Sequence, residues 1–67
     1  MWINLQGRNI NFDLIEEFYR EKNNIHLNDL NGNTSYISYT SESKAKQVEK
    51  YIMNKLNSKV ENEQEDK

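Results

Sequence analysis

Cysteine and proline are absent from this chain of 67 residues, and it holds only two glycines and one histidine. Without cysteine there are no disulfides, no thiolate metal ligands and no cysteine nucleophile. A single histidine, His26, excludes a histidine-based zinc site within one chain. Gly7 and Gly32 stand far apart, so there is no glycine-rich loop to cradle a phosphate. No G-x-S-x-G, H-E-x-x-H or EF-hand pattern is present. No run approaches the ~18 apolar residues of a membrane span. The opening Met-Trp-Ile-Asn-Leu-Gln-Gly-Arg lacks the charged start and apolar stretch of a secretory signal. The expected location is therefore cytoplasmic and reducing, away from membranes.

A chain this short buries only ~60% of the surface exposed by its unfolded form. Small domains make up that shortfall with disulfides, a structural metal or oligomerisation. Disulfides and cysteine- or histidine-based metal sites are excluded here, so oligomerisation is the remaining common route and a homo-oligomer is expected, a symmetric dimer first. The formal charge is −2, where nucleic-acid binders normally carry a basic excess. Much of the acidity is local. The stretch Glu61-Asn-Glu-Gln-Glu-Asp-Lys67 has no apolar residue to add to a core and is expected to be a disordered acidic tail. Setting its four acids and one lysine aside leaves residues 1–60, a single domain, near +1. The many asparagines, with abundant Lys and Ile, resemble the codon bias of an AT-rich genome and hint at a bacterium or its phage.

The clearest element is a helix at the C-terminal end. Ala45, Val48, Ile52, Leu56 and Val60 recur at three- and four-residue spacing and form one apolar stripe. Tyr51 borders it and Met53 lies off it. Thr40 or Ser41 can cap its start, and Glu42 suits the positive end of the helix dipole. Lys44, Lys46, Lys50 and Lys55, with Glu49 among them, form the polar face, and fraying is expected after Leu56. Upstream, residues 24–28 and 35–39 alternate with period two and read as strands. They are joined by a turn at Asn31-Gly32. A loop centred on Gly32 aligns Leu27 with Ile37 and Ile25 with Tyr39, and places His26, Tyr36 and Ser38 on the other face. Trp2 to Leu5 reads as a strand, with a turn at residues 6–9. Residues 11–22 support two readings. Leu14, Ile15, Phe18 and Tyr19 fit a helical stripe, with Asp13 and Glu16 as a capping box. Alternatively, Ile10 and Phe12 form one short strand and residues 15–20 another.

The pattern Trp2-Ile-Asn-Leu5, Ile10-Asn-Phe-Asp-Leu-Ile15, Ile25-His-Leu27, Gly32, Tyr36-Ile-Ser-Tyr-Thr-Ser41, Ala45 and Tyr51-Ile52 resembles a diffuse group of short bacterial and phage proteins. Their layout is β-β-β-β-α. The resemblance spans residues 2 to 56 and rests on fold-forming positions. It implies the strand reading of residues 11–22 and no particular activity. The expected fold is α+β, a small antiparallel sheet of three to four strands with one C-terminal amphipathic helix on a face.

Binding rather than catalysis is expected, with no cofactor. Glu16, Glu17 and Asp13 form a conceivable acid/base set, but a solvated surface accounts for them more simply. His26 has no obvious companion nucleophile and reads as a partly exposed sheet residue. Trp2, Phe12, Phe18, Tyr19, Tyr36, Tyr39 and Tyr51 are many aromatics for so short a chain, and most must fill the core. With Ile37 and Tyr39 turned to the helix, Tyr36 and His26 face the other way. Trp2 or Tyr19 beside them would complete an exposed patch of the kind that marks dimer or partner contacts. Three functions are expected, in order of preference. The first is a protein-interaction module, such as an inhibitor or adaptor carried by a phage or mobile element. The second is single-stranded nucleic-acid binding, using aromatics with Arg8, Arg20 and Lys22; here the strand–helix order looks like that of dimeric Whirly-type proteins. The third is sequestration of a small nucleotide-like ligand between subunits, lined by Arg8, Arg20, Tyr36 and His26.

Overall fold

The computed structural model describes the backbone of residues 1–64 and the side chains of residues 1–57. The fold is a small α+β arrangement of five strands in two antiparallel sheets and one C-terminal helix. Strand β1 (Trp2–Leu5) pairs with β2 (Arg8–Asn11) as a two-stranded hairpin. Strands β3 (Ile15–Glu21), β4 (Asn24–Asp29) and β5 (Thr34–Ser38) form a three-stranded sheet with β4 in the middle. Helix α1 (Glu42–Gln64) comes last and packs against β3 and β4. Among the described residues no helix is long and apolar enough to cross a membrane.

The expected single sheet is thus divided, and one short turn divides it. Phe12–Leu14 forms a 3-10 turn capped by Asn11, whose side chain accepts from the Asp13 N–H at 3.1 Å. The turn redirects the chain between β2 and β3, so these consecutive strands do not pair. Phe12, read as part of a strand, lies in this turn, where its buried ring meets Phe18 edge-on at 6.1 Å. Residues 15–21 are a strand and not a helix. β3 carries one irregularity between Ile15 and Glu17, after which Phe18 opposes Leu27 and Tyr19 opposes His26. The β1–β2 connection is a two-residue turn in which Gln6 and Gly7 both take positive φ, 53° and 82°. That is the backbone of a type I′ hairpin, which glycine adopts without steric cost.

The β4–β5 register corrects the expected one. Ile25 opposes Ile37, His26 opposes Tyr36 and Leu27 opposes Ser35. The faces are as expected, but the pairing is offset by two residues from the alignment of Leu27 with Ile37. The loop causes the offset. Gly32 N–H donates to Asp29 O at 3.1 Å, and Asp29 N–H donates to Asn33 O at 2.9 Å, closing the loop around Asn31 rather than Gly32. Asp29 also accepts from the backbone N–H groups of Asn31 and Asn33, each at 2.9 Å. These bonds, that of Asn33 foremost, hold the Asp29 carboxyl below its ordinary value of 3.8. A carboxylate with a depressed folded-state pKa contributes stability above its ordinary value and loses it as pH falls through the folded one. Asp29→Asn is therefore expected to melt at a lower temperature than the parent near neutral pH. The gap between the two should close as pH falls below 3.8. Thermal melts followed by circular dichroism across that range check this; a constant gap would place the stabilisation elsewhere.

The core is made of Ile3, Leu5, Phe12, Ile25, Leu27, Ile37, Tyr39, Ala45 and Ile52. Both sheets and the helix contribute to it. Ala45 and Ile52 are fully buried, while Val48 and Leu56 are partly covered; Tyr51 and Met53 are exposed. The helix stripe is therefore as the spacing indicates over these positions. The side chains of Val60 and of the acidic tail, residues 61–67, lie outside the described residues. Ser41 is the cap, its Oγ accepting from Lys44 N–H at 3.1 Å. Glu49, read as part of the polar face, instead turns inward to Arg20.

Candidate functional site

Antiparallel pairing places residues that oppose one another on the same face, and alternate residues on opposite faces. α1 covers one face of the three-stranded sheet. The other, outer face is organised in three cross-strand rows. The middle row is Tyr19, His26 and Tyr36, each directly opposite the next. Tyr19 and His26 stack with ring centroids 4.7 Å apart and 10° between planes. His26 and Tyr36 are tilted at 35° with centroids 5.8 Å apart. Tyr19 is 44% exposed and Tyr36 59%, so the row ends in two accessible phenols.

Polar residues flank this row on both sides. Toward the 29–33 loop run Glu17, Asn28 and Thr34, with Asn28 Nδ2 donating to Glu17 Oε1 at 3.3 Å. Toward the other end run Glu21, Asn24 and Ser38, with Ser38 Oγ donating to Asn24 Oδ1 at 2.6 Å. His26 Nε2 is buried, 3.2 Å from Glu21 Oε1 but outside hydrogen-bond alignment with it. Proximity without alignment is a weak contact, so this nitrogen is left unsatisfied by the described residues. The result is an open groove of about 480 Å³ lined by Tyr19, His26, Asn28, Thr34, Ser35 and Tyr36. The groove offers aromatic surface with amide and hydroxyl groups, and Glu17 and Glu21 stand in the rows on either side of Tyr19. No lysine or arginine lies in any of the three rows.

Of the candidate residues, the structure brings together Tyr19, His26 and Tyr36 and separates the others. Arg20, adjacent to Tyr19 in a strand, points to the helix side. Its Nε donates to Glu49 Oε1 at 2.9 Å and its Nη1 to Glu42 Oε2 at 3.2 Å and Lys22 O at 3.0 Å. The hydrogen bond to Glu49 is the main cause that raises the guanidinium pKa further above its ordinary value. Arg20 thus clamps α1 to β3. Trp2, 67% exposed, and Arg8 are exposed on the β1–β2 hairpin, in the other sheet. Asp13 pairs with the amino group of Met1 at 2.8 Å, whereas Glu17 lies on the outer face, so these carboxylates do not share a site.

Sequence reasoning missed the carboxylates of the outer face. Their signal was available: Glu17, Tyr19 and Glu21 are two apart, so a strand must put all three on one side. A second groove of about 370 Å³ lies between the hairpin and α1, with Tyr39, Val48 and Tyr51 among its walls. The Tyr39 hydroxyl is buried without a hydrogen-bond partner among the described residues, and burial pushes its pKa up. No group of three or more His, Asp or Glu side chains among the described residues is arranged to hold a metal ion. In comparisons with known proteins, no family model, no curated protein and no solved structure matches the chain.

Proposed function

We propose that the chain is a non-catalytic binding module that engages a protein partner through the outer face of the three-stranded sheet, and that the partner presents basic side chains there. The observation that carries this reading is the exposed Tyr19–His26–Tyr36 row flanked by Glu17 and Glu21. Tyrosine provides large contact area at low entropic cost, and exposed aromatic rows of this kind act as interface anchors. A guanidinium or ammonium group gains from a ring face and from a nearby carboxylate at once. Phosphate gains from neither. A single-stranded nucleic acid or a nucleotide would meet Glu17 and Glu21 on this face and no lysine or arginine, since Arg20 is engaged with Glu42 and Glu49 on the other side. The face therefore favours a protein partner over the two nucleotide-based alternatives.

The test is a titration of the protein with a short arginine-containing peptide and, separately, with single-stranded DNA, followed by NMR. Shifts of Tyr19, His26 and Tyr36 resonances with the peptide and none with the DNA are expected. Tyr19→Ala combined with Tyr36→Ala should weaken peptide binding by at least about tenfold, as for loss of interface anchors worth about 2 kcal/mol or more. Both residues are exposed, so the fold should persist. Glu17→Gln with Glu21→Gln should weaken it further and flatten its salt dependence. Shifts of these residues with DNA and none with peptide would reverse the assignment.

A further inference from the structure

A sheet edge exposes backbone donors and acceptors, and proteins guard such edges with charges, proline or bulges. The three-stranded sheet has two edges, and they are treated differently. β3 carries Glu16, Glu17, Arg20 and Glu21 and a register irregularity near its start. β5, Thr34-Ser-Tyr-Ile-Ser38, has no charge, no proline and no irregularity in its pairing. Thr34, Ser35 and Tyr36 are all exposed, and α1 packs chiefly over β3 and β4.

The groups that β5 presents can be assigned. Asp29 N–H donates to Asn33 O, and Tyr39 N–H donates to Asn23 O, at the two ends of the β4–β5 ladder. In an antiparallel ladder this alternation turns Ser35 and Ile37 toward β4, and Thr34, Tyr36 and Ser38 toward the free edge. Gln6 Nε2 donates to Ser38 O at 2.8 Å, which fits that assignment and caps one end. Among the described residues, the N–H and C=O groups of Thr34 and Tyr36 remain to be matched.

We infer that β5 pairs with β5 of a second copy of this chain, antiparallel about a two-fold axis at Ser35. Thr34 of each copy then lies opposite Tyr36 of the other, giving about four backbone hydrogen bonds and leaving the Gln6–Ser38 contact intact. The absence of charge is what selects a second copy: a two-fold axis at Ser35 sets that residue beside its own image and its neighbours close to theirs, so a charge near the axis would repel its copy. The two three-stranded sheets become one sheet of six strands. Both aromatic rows then share one face, with the two Tyr36 rings as diagonal neighbours within reach of each other. Each groove, lined on its open side by Thr34, Ser35 and Tyr36, gains the second copy's Thr34 and Tyr36 as a further wall. This pairing stands whatever the outer face binds.

Sedimentation equilibrium over a wide concentration range tests it, on the parent chain and on Ser35→Lys and Ser35→Glu, with circular dichroism to establish that each variant is folded. The parent is expected to dimerise. Each variant alone should raise the dissociation constant by more than about tenfold, because like charges are forced together. An equimolar mixture of the two should dimerise again, since lysine then faces glutamate. A parent chain that stays monomeric overturns the inference. So do variants that dimerise like the parent, and so does a mixture that fails to recover.

Discussion

Replacing Ile52 with alanine is expected to destabilise the fold by about 2–5 kcal/mol, the range for removing a buried isoleucine or leucine side chain. Ile52 is fully buried, one of the few side chains with no exposed surface, and belongs to the single cluster that includes Ile25 and Leu27 of the central strand. The stability against which this loss is set is small. At roughly 0.05–0.15 kcal/mol per residue, a domain of this length has about 3–10 kcal/mol in all. α1 has little to fall back on, because most helical stability in proteins comes from packing an apolar face rather than from propensity. The Arg20 clamp to Glu42 and Glu49 cannot replace that packing. Urea denaturation followed by circular dichroism measures the effect. Met53→Ala, one position along and 47% exposed, should move the midpoint little, as surface substitutions usually do. Leu56→Ala should fall between them, because Leu56 is only partly covered. Equal midpoints for Ile52→Ala and Met53→Ala would mean that the helix stripe does not hold the domain together.

How much of this fold could be read beforehand depends on which interactions set each feature. The α1 stripe was legible because helical period and burial depend on the same residues, Ala45, Val48 and Ile52. The faces of β4 and β5 were legible for the same reason: alternation alone decides that Ile25, Leu27 and Ile37 share a side. Their offset was not, because a shift of two residues preserves every face. Only the bonds around Asp29, side chain to the N–H groups of Asn31 and Asn33, distinguish the two alignments. The division into two sheets was also hidden, since it rests on one 3-10 turn at Phe12–Leu14 whose apolar Phe12 equally suits a strand.

The candidate site divides along the same line. Tyr19, His26 and Tyr36 meet as their parity requires. Arg20 could not join them once residues 15–21 were a strand, since neighbours in a strand face opposite ways. Trp2 belongs with the patch by aromatic character alone, and the hairpin places it in the other sheet. Composition suggested a surplus of aromatics; only register shows which of them form a row and that carboxylates border it.

The β1–β2 hairpin supplies the second large effect. A two-stranded hairpin is at best marginally stable in water by itself, and β1 and β2 share no sheet with the other described strands. Yet Ile3 and Leu5 are nearly as buried as Ile25 and lie in the same cluster. Gln6 also reaches across to Ser38, and Phe12 N–H donates to Met1 O at 2.7 Å, tying the hairpin to β5 at its turn and to the 3-10 turn at its open end. Leu5→Ala is therefore expected to cost about 2–5 kcal/mol, as much as a substitution in the central strand. It should also do so globally. Amide hydrogen exchange in β4 should accelerate together with exchange in β1, because a cooperative unit opens as a whole. If Leu5→Ala instead accelerates exchange in β1 alone and leaves β4 protected, the hairpin is an appendage and the three-stranded sheet with α1 is the true folding unit. In that case the Ile3 and Leu5 side chains would be covering a core that closes without them, and the cost at Leu5 should fall well below that at Ile52.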